Sequence, residues 1–365
     1  MNTMRSLIGL AAIALCCGLG VAQPERAMRA DGRLRLHQEV AGPDMLQLQT
    51  ILPMVPGWAL TAGTGPAVPS MVLAFRSDRV SHVFAVDDIY LYDTGSQSCF
   101  TLQNAGNPKP ANNVDISADA RYVAWDNGKN VLLYDRVLEQ LVPLPNCEAG
   151  VWPTLSQHAE YIAFIGGQTC ADAHMALYDR VHAKMVSLPN FPNPTLAGWP
   201  CLDPSGQYIA FQTHTSPTGQ RDVGLYDRQA GAVVPLPGLN SPSKEDLWPQ
   251  LDYGAQTISF WREGSGNGVY PPVPGQIMVY LRGPHTFAPT KLLSLKPNQY
   301  AWGYEHSMSS NGRYLLVSYT ENNPAAQPPN HMHPDLYVYD RQTDQLLPLA
   351  NLNTVWWEWK PSISG

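Results

Sequence analysis

The stretch ALYDRVHAKMVSLPN (Ala176–Asn190) decides the fold, because close variants of it recur along the chain. LLYDRVLEQLVPLPN (Leu132–Asn146) precedes it, and GLYDRQAGAVVPLPG (Gly224–Gly238) follows it. A phrase repeated at such distances indicates one small structural unit that is used several times. The fold should therefore follow from that unit.

Six copies of the unit are found when the chain is aligned on the tyrosine of this phrase. The aligned residues are Tyr92, Tyr134, Tyr178, Tyr226, Tyr280 and Tyr339. Successive tyrosines are separated by 42, 44, 48, 54 and 59 residues, a period that is typical of propeller blades. The composition agrees, because 33 prolines, 29 glycines and only 15% charged residues favour short strands and turns over long helices.

A second phrase precedes each copy and reads as strand, turn, strand. LSQHAEYIAF (Leu155–Phe164) and LDPSGQYIAF (Leu202–Phe211) show it most clearly. The run YIAF is apolar at every position, as expected for a strand covered on both faces by neighbouring blades. The third phrase, MVSLP or VVPLP, is predicted to be the outer strand, where an edge position tolerates proline. We expect the Asp of each YDR to accept backbone N–H groups in the turn that joins the third and fourth strands.

The two ends of the repeat region predict how the ring closes. The closing stretch WEWKPSISG (Trp357–Gly365) matches the first half of the second phrase, and the strand that should follow it occurs instead as MVLAF (Met71–Phe75). We therefore predict an all-β, six-bladed β-propeller with four-stranded antiparallel blades, closed by pairing of the C-terminal strand with the N-terminal blade. An alternative closure would use Trp58–Thr61 as the first inner strand.

These motifs resemble the TolB-type six-bladed propeller repeat over about residues 70 to 365. The resemblance implies the fold, and it also implies an exported protein that binds other proteins, since members of that family commonly do both. Only residues Gln23–Pro69 are available for a preceding domain, which is too few for the α/β domain that TolB carries ahead of its propeller. The chain is therefore interpreted as a propeller-only relative.

The N-terminus is predicted to be a signal peptide over residues 1–22, followed by an arm over residues 23–69 and the propeller over residues 70–365. Arg5 supplies the positive charge, Leu7–Cys17 is apolar but too short for a membrane span, and small residues end at Ala22. Cleavage after Ala22 would give a periplasmic or secreted protein; a lipoprotein anchored on Cys16 is the alternative. The net charge of −7 argues against a nucleic-acid partner.

An oxidising compartment would allow a disulfide. Cys147 is expected in the loop that enters the third blade and Cys170 in the loop between that blade's second and third strands, on the same face of the propeller. We predict that these two residues form a disulfide. Cys99 is expected near the opposite face.

The segments that join one blade to the next are predicted to reach the face that carries the longest loops, and these segments contain tryptophans. Trp152, Trp199 and Trp248 each precede a proline, and this recurrence favours packing between blades, whereas an aromatic funnel for a ligand is the alternative. Trp302 and Trp356 are not followed by proline and so do not match this repeated pattern, which makes them the better binding candidates. Together these five tryptophans form the predicted binding set.

Three neighbouring residues, Tyr304, Glu305 and His306, complete the binding candidates. The favoured function is a non-catalytic scaffold that holds a protein partner on the loop-rich face. The alternative is a glycan-active enzyme, a polysaccharide lyase or hydrolase, that uses the tryptophans with Glu305 or His306. We assign no catalytic residue.

One interpretation of His331 and His333 is a metal site with His306 as a third ligand, since histidines two apart on an extended segment point the same way. A flexible exposed loop is the alternative for this segment. The chain contains no phosphate-binding loop and no H-E-x-x-H motif, and we predict no cofactor.

Overall fold

The computed structural model describes residues 70–77, 88–102, 105, 111–167, 172–192, 198–213, 221–263, 275–290, 299–321, 334–353 and 358–365. Within these ranges the side chains of 299–305, 319–321, 334 and 359 are not described. The predicted signal peptide and N-terminal arm lie outside the described residues. Among the described residues, no helix has the length and hydrophobicity to span a bilayer.

The described chain forms six four-stranded antiparallel sheets, which confirms the predicted six-bladed propeller. The strands are given from the innermost to the outermost of each blade. Blade 1 contains β24 (Glu358–Ile363), β1 (Val72–Ser77), β2 (Asp88–Asp93) and β3 (Ser98–Thr101). Blade 2 contains β4 (Asn112–Ile116), β5 (Tyr122–Asp126), β6 (Val131–Asp135) and β7 (Gln140–Leu141). Blade 3 contains β8 (Gly150–Leu155), β9 (Tyr161–Gly166), β10 (His174–Asp179) and β11 (Lys184–Met185).

The other three blades follow the same order. Blade 4 contains β12 (Gly198–Leu202), β13 (Tyr208–Thr213), β14 (Asp222–Asp227) and β15 (Ala232–Val233). Blade 5 contains β16 (Asp246–Leu251), β17 (Thr257–Arg262), β18 (Gln276–Leu281) and β19 (Thr286–Ala288), with a short 3-10 turn at Tyr253–Ala255. Blade 6 contains β20 (Gln299–Met308), β21 (Tyr314–Glu321), β22 (Pro334–Asp340) and β23 (Gln345–Leu346).

The ring closes in blade 1, as the repeat pattern predicted. β24 pairs antiparallel with β1, so that Ile363 lies opposite Leu73 and Ser362 opposite Ala74. The last strand of the chain therefore becomes the innermost strand of the first blade. Closure in this way removes two open sheet edges.

The core lies between blades, because the second and third strands of each blade are buried on both faces. The six repeat tyrosines are all at most 2% exposed. Four of their hydroxyl groups donate to a carbonyl of the preceding blade, as Tyr178 does to Pro145 and Tyr226 to Pro189 (both 2.6 Å). Tyr339 instead donates to Asp344 of its own blade. The tyrosine of one repeat thus bonds to the LPN end of the repeat before it, which explains why both phrases recur together.

The repeat aspartates accept backbone N–H groups in the turn after the third strand, as predicted. Asp135 accepts from Val137 N (2.9 Å), Asp179 from His182 N (3.0 Å) and Asp227 from Gln229 N (2.9 Å). These turns lie at the same end of the propeller as the turns between the first and second strands. We call this end the turn face, and we call the opposite end, where blades are joined, the loop face.

Two hydrogen-bonded rings join the innermost strands around the axis. The first is the inner polar ring, which consists of Asp115, Thr154, Cys201, Gln250, Ser307 and Ser362, one residue from each blade. Four of its side chains accept a backbone N–H group from the next blade, as in Asp115 with Leu155 N (2.7 Å) and Ser362 with Ile116 N (3.1 Å).

The second ring, the backbone ring, lies at the turn face. Gly365 N donates to Ala118 O (2.9 Å), Gln157 N to Pro204 O (2.8 Å), and Tyr253 N to Ser310 O (2.7 Å). Between blades 4 and 5 the carboxylate of Asp203 accepts from Gly254 N (3.0 Å) instead. The six inner strands therefore converge at this end until their turns are directly hydrogen-bonded.

Candidate binding site on the propeller axis

The innermost strands share a bulge at their centre. The pairing of the first with the second strand shifts between Asn112 and Asp115, between Val151 and Thr154, and between Leu247 and Gln250, with matching shifts in blades 1 and 4. The first bulged residue has a left-handed backbone in each case, at Asn113, Trp152, Trp199, Trp248 and Lys360 (φ 23 to 56°). Such a conformation costs a side-chain-bearing residue about 1–2 kcal/mol, and strain of this kind concentrates at functional sites.

The bulges surround a cavity of about 110 Å³ on the axis. Residues from the innermost strand of all six blades line it: Asn113, Val114, Trp152, Pro153, Trp199, Pro200, Trp248, Pro249, Gln250, His306, Lys360 and Pro361. Proline is compatible with this position for two reasons. The innermost strand is an edge of its sheet, and the bulge has already removed a ladder hydrogen bond.

Three tryptophans form one half of the cavity wall. The rings of Trp152 and Trp199 stack with centroids 4.4 Å apart, and Trp199 meets Trp248 edge to face at 6.3 Å. Trp152 is 9% exposed and packs in the cluster between blades 3 and 4. These residues therefore pack between blades and also line the cavity, whereas their role in binding a ligand remains a prediction.

The other half of the wall is polar and comes from blades 6, 1 and 2. It consists of His306, Lys360 and Asn113. The Asn113 amide donates to Asp126 (2.9 Å), which also accepts from Trp152 N (3.1 Å) and so fixes the bulge of the next blade. Burial raises the pKa of Asp126 against the opposing effect of these bonds. The cavity thus presents an aromatic side and a charged or hydrogen-bonding side to one occupant.

The inner polar ring lies next along the inner strands, toward the turn face. Burial raises the pKa of Asp115 to about 6, although bonds from Ser362 and the Leu155 amide favour its ionised form. Ser362 Oγ donates to Asp115 (2.5 Å) and links the closing strand to blade 2. Burial also raises the pKa of the Cys201 thiol, so this sulfur is not a nucleophile at neutral pH.

The structure brings four predicted residues together at this cavity: Trp152, Trp199, Trp248 and His306. The tryptophans lie within strands β8, β12 and β16, and not in connecting segments as the sequence suggested, because the bulge lets an inner strand carry them to the axis. Trp302, Tyr304 and Glu305 belong to β20, whose side chains are not described there. Their binding role remains a prediction.

The remaining predicted sites lie partly or wholly outside the described residues. Trp356, His331, His333 and Cys170 are outside them. Cys147 carries a free thiol, and burial raises the pKa of that thiol to about 11. Because Cys170 lies outside the described residues, the disulfide between the two cysteines remains a prediction. In the described part of the chain, no group of three His, Cys, Asp or Glu side chains is arranged to hold a metal ion.

Sequence reasoning missed Asn113 and Lys360. They occupy the same bulge position as the tryptophans but share no residue type with them. A signal for Lys360 was available in the sequence. The segments PTL, PCL, PQL and PSI each begin with a proline near the end of an inner strand, and the residue before that proline is a tryptophan in the first three and Lys360 in the last. A proline inside a strand marks a bulge or an edge strand, and here both apply.

Comparison with known proteins shows the fold. No family model matches the chain, and no curated protein matches it. Among solved structures it is similar to TolB from Acinetobacter baumannii, with a TM-score of 0.57 at 13% identity over 81% of this chain and 66% of that one. The fold resembles the TolB propeller. The chain spans slightly less than two thirds of that protein's length.

Two further structures share the architecture. The putative TolB from Agrobacterium tumefaciens gives a TM-score of 0.51 at 10% identity, covering 77% of this chain and 89% of that one. Kuenenia stuttgartiensis hydrazine synthase also gives 0.51 at 12% identity, covering 82% of this chain and 47% of that one. The sequence identities are low and the similar structures have different names, so the similarity establishes the propeller fold but no activity. Any activity has to be argued from the residues of the site.

Proposed function

We propose that the protein is an exported, non-catalytic binding propeller that holds a protein partner on its loop face, with the axial cavity as the anchor. The observation that carries this proposal is the ring of strained bulge residues that places three tryptophans on the axis. Tryptophan is enriched among the residues that dominate binding energy at protein interfaces. Export rests on the signal-peptide pattern that ends at Ala22.

The size and chemistry of the cavity favour one side chain of a partner as its occupant. A volume of about 110 Å³ is too small for a domain or a long oligomer. The aromatic half offers an apolar contact, while Lys360 and His306 offer charge and hydrogen bonds on the opposite side. A residue with an apolar stem and a polar end matches both halves.

The lining of the cavity supports binding more than catalysis. The described lining residues supply one imidazole and one ammonium group but no carboxylate. Hydrolysis of a glycosidic bond commonly uses a pair of carboxyl groups, which the described lining does not provide, so the lining supports binding over a hydrolase.

The proposal is tested by quantitative capture of partners from the exported fraction of the source cells. Wild type is compared with Trp248→Ala and Trp302→Ala on the loop face, and with Leu138→Ala on the turn face, where Leu138 is 56% exposed. We expect each tryptophan variant to weaken capture at least about tenfold, since a buried aromatic anchor contributes about 2 kcal/mol or more. The Leu138 variant should capture the same partner as wild type.

A thermal unfolding curve for each variant separates lost binding from lost folding, because Trp248 also packs on Trp261 (5.4 Å between ring centroids). Equal capture by folded wild-type and tryptophan variants would show that the axial cavity is not the anchor. Capture of polysaccharide in place of protein would favour the glycan alternative.

A further inference from the structure

A second cavity lies on the turn face, away from the axial site. It has a volume of about 420 Å³ and is formed by turns of blades 3, 4 and 5. Its described lining includes His158, Glu160 and His182 from blade 3, Ser205 from blade 4, and Tyr253 from blade 5. We call this cavity the turn-face groove.

Two histidines in the groove are held in the same way by carboxylates. His158 Nδ1 lies 2.7 Å from Asp119 Oδ2, and His182 Nδ1 lies 2.8 Å from Asp179 Oδ2. A neutral imidazole that donates from Nδ1 leaves Nε2 as a hydrogen-bond acceptor. Both histidines are among the residues that line the groove, and in that tautomer each has an Nε2 atom that can accept a hydrogen bond.

Two carboxylates of the lining, Asp179 and Glu160, add further acceptors, and Asp119 holds His158 from outside the lining. Burial opposes ionisation of Asp119 and Asp179, but hydrogen bonds from the histidines and from backbone N–H groups outweigh it and lower both pKa values. Glu160 receives Ser156 Oγ (2.9 Å) and His158 N (3.2 Å) on the single oxygen Oε2. No Lys or Arg is among the described residues that line the groove. Three arginines border the groove: Arg180 donates to the carbonyls of Ala159 and His158, Arg282 donates to that of Gly254, and Arg228 stacks on Tyr161. The lining between them consists of acceptors and aromatic rings, which suits a further group with several N–H donors.

Aromatic rings complete the site. The protein itself stacks guanidinium groups on tyrosines at this face: Arg180 lies 4.7 Å from the centroid of Tyr122, and Arg228 lies 3.7 Å from that of Tyr161. Tyr253 lines the same groove and is 57% exposed. In the described part of the chain, no arginine is stacked on Tyr253.

We propose that the turn-face groove binds the guanidinium group of an arginine in a partner peptide, with Glu160 and the histidine nitrogens as acceptors and Tyr253 as the stacking surface. A planar group with five N–H donors matches this set better than a compact ammonium ion does. A transition metal is less well matched, because the described donors do not form a group of three suited to a metal.

The experiment titrates the full-length protein with acetyl-Ala-Arg-Ala-amide and with the citrulline analogue of that peptide, which has nearly the same shape and no charge. We expect saturable binding of the arginine peptide and at least about tenfold weaker binding of the citrulline peptide, as for a charge-assisted contact. Glu160→Gln should weaken binding of the arginine peptide about fivefold or more. Glu139→Gln is the matched control, because it removes one exposed carboxylate from the 3–4 turn of blade 2.

The glutamine at position 160 can still accept the bonds from Ser156 and His158, so the variant is expected to fold, and its unfolding curve checks this. Equal affinity for the two peptides would overturn the proposal. Absence of saturable binding of the arginine peptide would also overturn it, as would binding of Zn²⁺ that the peptide cannot displace. The test involves no residue of the axial cavity, so its outcome is separate from that of the proposed function.

Discussion

At the scale of single residues, Asp115 makes stability depend on pH in an unusual direction. Its pKa is about 6 in the folded protein, above the value of about 4 for an unfolded chain. The folded state therefore holds a proton that the unfolded state has already released, and stability falls as pH rises from about 4 to about 6. The loss amounts to about 3 kcal/mol at most.

We expect Asp115→Asn to remove this loss. The amide can accept from Leu155 N and donate to Ser362 Oγ, so it preserves both contacts without the buried charge. At pH 8 the variant should be more stable than wild type by about 1–3 kcal/mol, and at pH 4 the difference should vanish. Urea unfolding at both pH values measures it; an equal difference at pH 4 and pH 8 would contradict the assignment.

Asp135 supplies the control of opposite sign. Burial opposes its ionisation, but bonds from Arg121 (2.7 Å to Nη2) and from backbone N–H groups outweigh it and lower its pKa. Its stabilisation is present at neutral pH and is lost as pH falls through that lowered pKa. Asp135→Asn should therefore destabilise the protein at pH 7 and less so at pH 3.

Residue roles were predictable only where one local contact explains them. The turn role of the repeat aspartates followed from the sequence, because the N–H groups that donate to the carboxylate lie two or three residues away. The tyrosine hydroxyl of Tyr226 bonds to Pro189, 37 residues earlier, and no local rule finds such a partner. The inner polar ring was also missed, since its six members have five different side-chain types.

At the scale of the element, the turn after each third strand has a fixed backbone. Its last residue before the outer strand is left-handed in all six blades, at Gln97, Glu139, Ala183, Gly231, His285 and Asp344 (φ 51 to 61°). Only Gly231 lacks a Cβ atom that disfavours this conformation.

We expect Glu139→Gly to stabilise the protein by about 1 kcal/mol, because Glu139 is exposed and its substitution removes strain without removing packing. Gln140→Gly is the matched control. It is the next residue, also exposed, and lies in β7, where glycine should cost about 0.5–1 kcal/mol. Chemical denaturation of the two variants should therefore give changes of opposite sign, and a loss of stability in both would contradict the argument.

The position of each strand within its blade was predictable for two reasons. The run YIAF is apolar at every residue, which marks a strand buried on both faces, and the spacing of the repeat gives the order of the strands along the chain. The bulge was not predicted, because the pairing register depends on a partner strand that the local pattern does not specify. Proline inside an inner strand was the available signal, but it was interpreted as part of a connecting segment.

At the scale of the whole molecule, closure by β24 holds the ring together. Ser362 links three blades, since it lies in blade 1, receives Ile116 N and donates to Asp115 in blade 2, whose carboxylate accepts Leu155 N of blade 3. Deleting residues 358–365 would open β1 as an edge and leave these buried groups without partners.

We expect that deletion to abolish a single cooperative thermal transition, because its cost approaches the whole stability of a domain, about 5–15 kcal/mol. Ser362→Ala, which keeps the strand, should lower the free energy of unfolding by only about 1–3 kcal/mol. Differential scanning calorimetry distinguishes the two. A truncated protein that melts within a few degrees of wild type would show that closure contributes little.

The backbone ring at the turn face gives the axial cavity a direction. Ala118, Pro204, Ser310 and their neighbours are hydrogen-bonded to one another around that end. Because most of these bonds join main-chain atoms, the spacing of the inner turns depends little on the side chains that the turns carry. The two ends of the axis therefore differ in the sequence change that they tolerate: side chains can vary at the turn face without loosening the ring, whereas the bulge residues set the shape of the cavity.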